Sequence, residues 1–330
     1  MKQKSAKLIL VMLIGLVALA MPSWAAKDQG KRRIPVILDT DIGDDIDDTW
    51  ALGLVLNSPE LDLKLAVGDY GKPEYRAKIL AKFLHRAGRS DVPVGVGIEV
   101  PSAKGRDSQI DWVRDYDLKS YPGKVHTNGV AALIDIIMKS PEPITLLAIG
   151  PLSNIEAALA QEPRIAQKAV FVGMHGSVRK GYGGKAKIDP EWNVKVAPKA
   201  CQVAFQAPWK KTITPLDTCG LIVLDGAQFQ QIRKSKNAVA GDILTNYRLW
   251  TSDRKGYEGE AVDTHSSTLF DCVAVYLAVA EELCTIESLG LKVTDDGFTL
   301  IDQQAPVCRV ATEWKDQQAF EDWLVRRISQ

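Results

Sequence analysis

Net charge is what this sequence most plainly lacks: 41 basic residues balance 41 acidic ones over 330 positions. A chain without a global field has nothing to draw it to nucleic acid or to an acidic membrane surface. Zinc chemistry is poorly provided for. There are four histidines and five cysteines, and no cysteine falls in a CxxC pair or near a histidine at zinc spacing. The cysteines (Cys201, Cys219, Cys272, Cys284 and Cys308) are odd in number, so at least one thiol stays free even in an oxidising compartment. They read as small buried hydrophobes. The longest apolar stretch, Leu8 to Met21, falls short of the roughly 20 residues a membrane span needs. Repeats and low-complexity tracts are also missing, which excludes a solenoid.

The N-terminus is an address rather than part of the fold. Lys2, Lys4 and Lys7 precede the apolar stretch, and Ser23 and Ala25 supply the small residues of a signal-peptidase site. Residues 1–26 are therefore expected to be a cleaved signal peptide, with residues 27–330 released to the periplasm or the exterior. No cysteine stands at the cleavage point to carry a lipid, so no stable membrane association is expected after cleavage.

From Ile34 onward, short β-rich runs alternate with helical ones. Strands are predicted at Ile34–Leu38, Leu61–Val67, Pro93–Gly97, Ile144–Ile149, Ala169–Gly173 and Thr212–Leu216. Helices are predicted at Asp48–Leu56, Glu74–Ala87, Val130–Met138 and Leu152–Ala160, and a last one near Gln317–Ile328. This alternation implies a single-domain α/β fold: a mostly parallel open sheet with helices on both faces. Three further runs, Leu291–Val293, Phe298–Ile301 and Val307–Val310, imply a small C-terminal antiparallel extension. Ligands of such sheets sit beyond the carboxyl ends of the strands. Those ends read Asp39/Asp41, Gly68-Asp69, Ile149-Gly150, Met174-His175 and Asp217-Thr218, polar or glycine at every one.

The densest chemistry is at the first of these ends. Asp39-Thr40-Asp41-Ile42-Gly43-Asp44-Asp45-Ile46-Asp47-Asp48 holds six carboxylates in ten residues. So many negative charges repel one another and raise their own pKa values unless a cation neutralises them. Carboxylate and carbonyl oxygens are hard ligands, suited to Ca2+ or Mg2+. The plain alternative is a solvated turn capping the next helix through Asp47 or Asp48, but a cap needs one aspartate, not six. A strand ending in DxD also occurs in haloacid-dehalogenase-like phosphatases. Gly43 stands where their motif has Thr or Val, and Asp47-Asp48 has no place in it.

The stretch from Ile37 through Asp39-Thr40-Asp41, Gly43 and Asp47-Asp48 to Leu52 resembles the N-terminal signature of the inosine–uridine-preferring nucleoside hydrolases. Four further blocks follow in family order. Gly150-Pro151-Leu152-Ser153-Asn154 is similar to a GPLTN segment, Glu191-Trp192-Asn193 to an EFN triplet, Pro215-Leu216-Asp217-Thr218 to a PLD-T strand end, and Leu269 to Val275 to an LHDPLAV helix. The resemblance implies one Ca2+ under a ribose pocket in a homodimer or homotetramer acting on a nucleoside or related ribosyl compound. It gives Asp41 the roles of metal ligand and of base for the attacking water. Asp48, Asp271 and the main-chain carbonyl of Ile149 are implied as further ligands, Asp47 as the ribose grip, and Glu191 and Asn193 as contacts to the 5′ side. Carboxylates near the ring suit the oxocarbenium-like sugar that forms as an N-glycosidic bond breaks.

Four positions depart from the family pattern. The acidic loop is two residues longer than DTDPGxDD, so Asp45 competes with Asp48 for the ligand place. Phe270 stands before Asp271 where many members carry a proton-donating His. Asp69 replaces an Asn, which alters sugar recognition or adds a ligand. Lys185 falls near a usual Asn. Leaving-group activation therefore stays open among His126, His175, His265 and Tyr182; His175 follows a strand at the site edge, and His126 matches a family His. Trp192 and Phe270 are candidate stacking surfaces for a base. The basic residues Arg179, Lys180, Lys185 and Lys187 are read as a solvated loop or as a preference for an anionic substrate. The alternative function is a non-catalytic periplasmic nucleoside or sugar binder, with Phe270 and Asp69 marking lost chemistry; a second is a metal-dependent hydrolase of another ribosyl or glycosyl compound.

Overall fold

The computed structural model describes residues 32–100, 105–252 and 261–330. The expected signal peptide and residues 253–260, before His265, lie outside the described residues. Strand β1 (Ile34–Thr40) is followed by β2 (Leu61–Gly68), β3 (Val94–Gly95), β4 (Val125–His126), β5 (Ile144–Ala148), β6 (Ala169–Met174), β7 (Lys210–Thr214), β8 (Cys284–Val293), β9 (Thr299–Ile301) and β10 (Val307–Trp314). They form a ten-stranded sheet in the order β4-β3-β2-β1-β5-β6-β7-β10-β8-β9. Neighbours from β4 to β7 run parallel.

Alternation along β1 shows why both faces must be covered. Val36 and Leu38 point into one core, while Ile37 points into the other. Each core is roofed by helices, so the strand bodies read as continuous apolar runs. The helix Asp47–Leu56 is itself buried from Asp47 to Val55, because other helices pack on the side facing away from the sheet. No helix among the described residues is long and apolar enough to cross a membrane.

The antiparallel C-terminal strands are present, but they are not a separate appendage. Strand β10 lies between β7 and β8, parallel to the first and antiparallel to the second, which makes the C-terminus continuous with the main sheet. Helices at Pro198–Gln206, Gly226–Arg233 and Ala238–Ser252 have no counterpart in the sequence reading. In the last of these, Asp242 and Asn246 are buried. Asp242 pairs with Arg86 at 2.8 Å, and Asn246 donates to the Asp242 carbonyl. Polar residues buried inside the protein break the apolar stripe that betrays a helix. All five cysteines are buried free thiols.

Candidate active site

The chain leaves β1 for β2, β3 and β4 on one side, then returns as β5 on the other side of β1. Loops beyond β1 and β5 thus diverge, and a crevice opens at this switch point. A cavity of about 240 Å³ occupies it, lined by Asp41 after β1, Ile149 after β5 and Met174 at the end of β6. Asp48 and Asp271 reach it from the first turns of two helices, Asp47–Leu56 and Phe270–Val279.

At its floor Asp47, Asp48 and Asp271 converge, with one carboxylate oxygen of each within 4.8 Å of the others. The capping explanation for Asp47 and Asp48 fails, since Ile46 is the N-cap and no side chain caps that end. Burial pushes Asp41, Asp47, Asp48 and Asp271 all well above the usual carboxylate range, and their mutual repulsion adds to it. The buried Arg76 works in the opposite direction on Asp41 and Asp48. Thr40 Oγ1 donates to Asp48 and the Asp271 amide donates to Asp47 at 3.2 Å, which fixes the carboxylates without neutralising them. Asp41 lines the cavity beside this group rather than within it. Its backbone and carboxylate pass so close to Gly150 that a Cβ there would lie 2.8 Å from the Asp41 nitrogen and 3.0 Å from Oδ1. Asp45 also lines the cavity but stands outside the convergent trio, its Oδ1 accepting from the Ile46 amide at 2.7 Å.

The Asn193 side chain donates to the carbonyls of Ile149 and Met174, each at 3.0 Å. Glu191 caps the short helix Trp192–Val196 by accepting from the amides of Asn193 and Val194, and it accepts from Gly176 as well. Burial raises Glu191 to about 7 despite those three bonds. Both residues line the cavity, so the Glu191-Trp192-Asn193 block delivers its polar side chains inward.

Asp69 is not a cavity residue. Its carboxylate accepts from the amides of Tyr70, Ser153 and Asn154 and so ties β2 to the N-terminus of the helix Ser153–Gln161. The acid at this position serves backbone donors, which corrects its assignment to substrate. Asn154 extends the tie, donating to Asp39 Oδ1 at 2.8 Å and to the Gly68 carbonyl at 3.1 Å. Asp217 holds the loop after β6 in the same manner, through the amides of Val178 and Arg179.

Neither His175 nor His126 lines the cavity, so both lose the catalytic role expected of them. His126 lies in the outermost strand β4, three strands away from β1. His175 is fully buried against Phe171 and Phe205, with Nε2 donating to the Gly150 carbonyl at 3.0 Å. Burial lowers its pKa from 6.5 to about 4. Between those values the unfolded chain binds a proton that the folded one refuses, so stability falls as pH drops through that window. At about 1.4 kcal/mol per pH unit the loss is on the order of 3 kcal/mol. Urea denaturation of wild type and His175→Gln at pH 7 and pH 4 should show it: wild type loses more stability on acidification than the variant does. Parallel losses would contradict it.

Beside the acidic floor stands an aromatic wall. Tyr182 and Phe270 meet edge to face at 6.0 Å, and Trp192 lies next to them, its amide donating to the Tyr182 hydroxyl at 2.9 Å. Trp192 is 47% exposed, so core packing does not account for it. Of the four residues offered for leaving-group activation, Tyr182 lines the cavity; Met174 and Arg106 line it too but were given no role from sequence. Arg106 comes from a loop distant in sequence from the acidic one, which leaves no local signal for it.

The sequence pattern of the family described as inosine-uridine preferring nucleoside hydrolase matches residues 36–322. The inosine-uridine preferring nucleoside hydrolase of Leishmania major is 30% identical over 291 residues, covering 82% of this chain and 88% of the relative. The pyrimidine-specific ribonucleoside hydrolase RihA of Enterobacter sp. (strain 638) is 27% identical over 316 residues, covering 90% and 98%. Among solved structures, the plant nucleoside hydrolase PpNRh1 shares the fold with a TM-score of 0.77 at 23% identity, over 90% of this chain and 99% of that one. The purine-preferring ribonucleoside hydrolase of Gardnerella vaginalis gives 0.72 at 25%, over 89% and 98%. With the acidic strand end, the convergent aspartates and the whole-chain match in hand, the protein belongs to the inosine-uridine preferring nucleoside hydrolase family.

Proposed function

We propose that this protein is an exported, Ca2+-dependent enzyme that hydrolyses the N-glycosidic bond of ribonucleosides to ribose and free base. Membership of the family makes it an N-ribosyl hydrolase. The observation that carries the rest is the buried convergence of Asp47, Asp48 and Asp271 at the cavity floor. Its donors are oxygens only, and among the described residues no His or Cys lines the cavity, so the set fits Ca2+ or Mg2+ and not zinc. The repulsion among these buried carboxylates supports the same reading, because a divalent ion removes it. A bound cation supplies positive charge for the ribose hydroxyls and acidifies the attacking water.

In this reading Asp41, Asp48, Asp271 and the Ile149 carbonyl hold the ion, and Asp47 grips the ribose hydroxyls. Asp48 takes the ligand place in preference to Asp45, because its carboxylate converges with that of Asp271 while Asp45 Oδ1 accepts from the Ile46 amide. Asn193 uses both amide hydrogens on main-chain carbonyls. It therefore positions the Ile149 carbonyl, which keeps a second lone pair for the ion, and offers its own Oδ1 to the sugar. Asp41 accepts the proton of the attacking water, and the carboxylates stabilise the cationic sugar as the base departs. Trp192 and Phe270 face the base. Release to the periplasm or exterior and assembly as a homodimer or homotetramer belong to the same proposal.

The test is release of free ribose from a panel of purine and pyrimidine nucleosides by the chain lacking residues 1–26, with Ca2+ and after chelation. Turnover that vanishes on chelation and returns with Ca2+ is the expected result. Tight Ca2+ binding without ribose from any nucleoside would leave a binder, not an enzyme.

A further inference from the structure

Among the described residues, seven acidic residues line the cavity and one basic residue does, Arg106. Its side chain is exposed and makes no hydrogen bond or ion pair among the described residues, whereas its backbone is held firmly. The Arg106 amide donates to Asp44 Oδ1 at 3.1 Å; the Ser108 amide donates to the Gly43 carbonyl at 3.2 Å, and its hydroxyl to the Asp44 carbonyl at 3.3 Å. Gln109 continues the seam: its amide donates to the Tyr75 hydroxyl, which donates to the Gly43 carbonyl, and its side chain donates to Thr49. Gly105 packs so tightly that a Cβ would lie 2.6 Å from Arg76 Nη2. The longer acidic loop, through Asp44, thus serves as the anchor that brings a guanidinium to the cavity wall.

We propose that Arg106 stabilises the departing base, a role that rests on the hydrolase reading above. When the C1′–N bond breaks, its electron pair goes to the base nitrogen and is shared with ring carbonyl oxygens. Water gives its oxygen to C1′, and a proton from solvent completes the free base. A guanidinium hydrogen-bonds such a carbonyl in the plane of the ring and keeps its own proton throughout, so it acts by charge and not by proton transfer. The other lining groups are worse suited. Phe270 has no proton to give, and burial raises the Tyr182 hydroxyl above its ordinary pKa, making it a weaker acid. The seven acidic residues would oppose an anion. Asp44 is a positioning residue in this scheme, acting through the Arg106 backbone.

The experiment compares Arg106→Gln and Arg106→Lys with wild type on inosine and uridine, and on p-nitrophenyl β-D-ribofuranoside, whose leaving group is stable as an anion without help. The Ca2+-induced rise in Tm, measured alongside, reports on fold and metal site. Loss of one preorganised donor at a developing charge costs about a hundredfold in kcat. Arg106→Gln should therefore lower kcat on both nucleosides by about that factor. The ratio of nucleoside to nitrophenyl riboside turnover should drop at least about tenfold, and Arg106→Lys should recover part of it by restoring charge without the planar fork. An equal fall on all substrates, a change confined to KM, or no change would overturn the role of Arg106 while leaving the hydrolase intact. If wild type itself releases ribose from none of the three, the hydrolase reading falls and this one falls with it.

Discussion

Asp271→Asn should make the metal-free protein more stable and the enzyme inactive. The two effects have one origin. In the metal-free protein Asp271 is buried within reach of Asp47 and Asp48, its carboxyl pushed up by burial and by both neighbours. Removing one negative charge while keeping a polar side chain of the same shape relieves repulsion and desolvation together. The gain is on the order of 1–3 kcal/mol, the usual scale for a poorly compensated buried polar group. With Ca2+ the ranking reverses. At a hundred times its Kd the ion stabilises wild type by about 2.7 kcal/mol, and a site short of one ligand loses most of that. Turnover falls on the order of a thousandfold, since a cation in such a site is worth several kcal/mol at the transition state. Thermal melts with and without Ca2+, alongside ribose release, decide the matter. A variant less stable than wild type in chelator would show that Asp271 is a structural group and that the trio needs no cation.

Much of the fold was legible because its signals are local. The parallel core from β1 to β7 follows from apolar runs ending in polar or glycine residues, and the structure starts and stops most of those elements within about two residues of the predicted bounds. The C-terminal strands were legible as strands but not as part of the main sheet. Nothing in Val307–Val310 says that it pairs with β7 rather than folding back alone; that choice is made by long-range register. The acidic floor was legible for a similar reason, since Asp47 and Asp48 are adjacent in sequence and Asp271 sits in a recognisable block. The misplaced residues were judged by sequence position alone. Asp69 and His175 do stand at strand ends, yet their side chains turn to backbone groups behind the cavity. Arg106 was invisible, because only the folding of one loop onto another brings it to the wall.

Arg76 explains how such a loop stays folded, and its removal should cause a large loss of stability. The residue is fully buried, and its guanidinium is spread over the loop: Nη1 donates to the carbonyls of Asp41 and Ile42, Nε donates to that of Tyr70, and Nη2 lies 3.9 Å from Asp44. Tyr70 adopts a positive φ of 58°, which a tyrosine tolerates only when its surroundings hold it there. Arg76→Met keeps much of the side-chain volume and deletes every one of these donors. It leaves main-chain carbonyls of the turn short of partners and removes a positive charge from beside Asp41, Asp44, Asp48 and Asp69. Breaking a buried charged network from one side costs about 3–5 kcal/mol, a large share of the 5–15 kcal/mol typical of whole domains. If the site holds Ca2+ as proposed, the ion should offset part of this loss, because it would supply positive charge to the same loop. The variant should therefore unfold at much lower urea in chelator and recover part of the deficit with saturating Ca2+. A lysine at this position keeps the charge but not the fork, and should fall between the two. If Arg76→Met unfolded at the same urea concentration as wild type in chelator, the loop would owe its shape to the backbone and the metal alone, and the buried arginine would be a passenger.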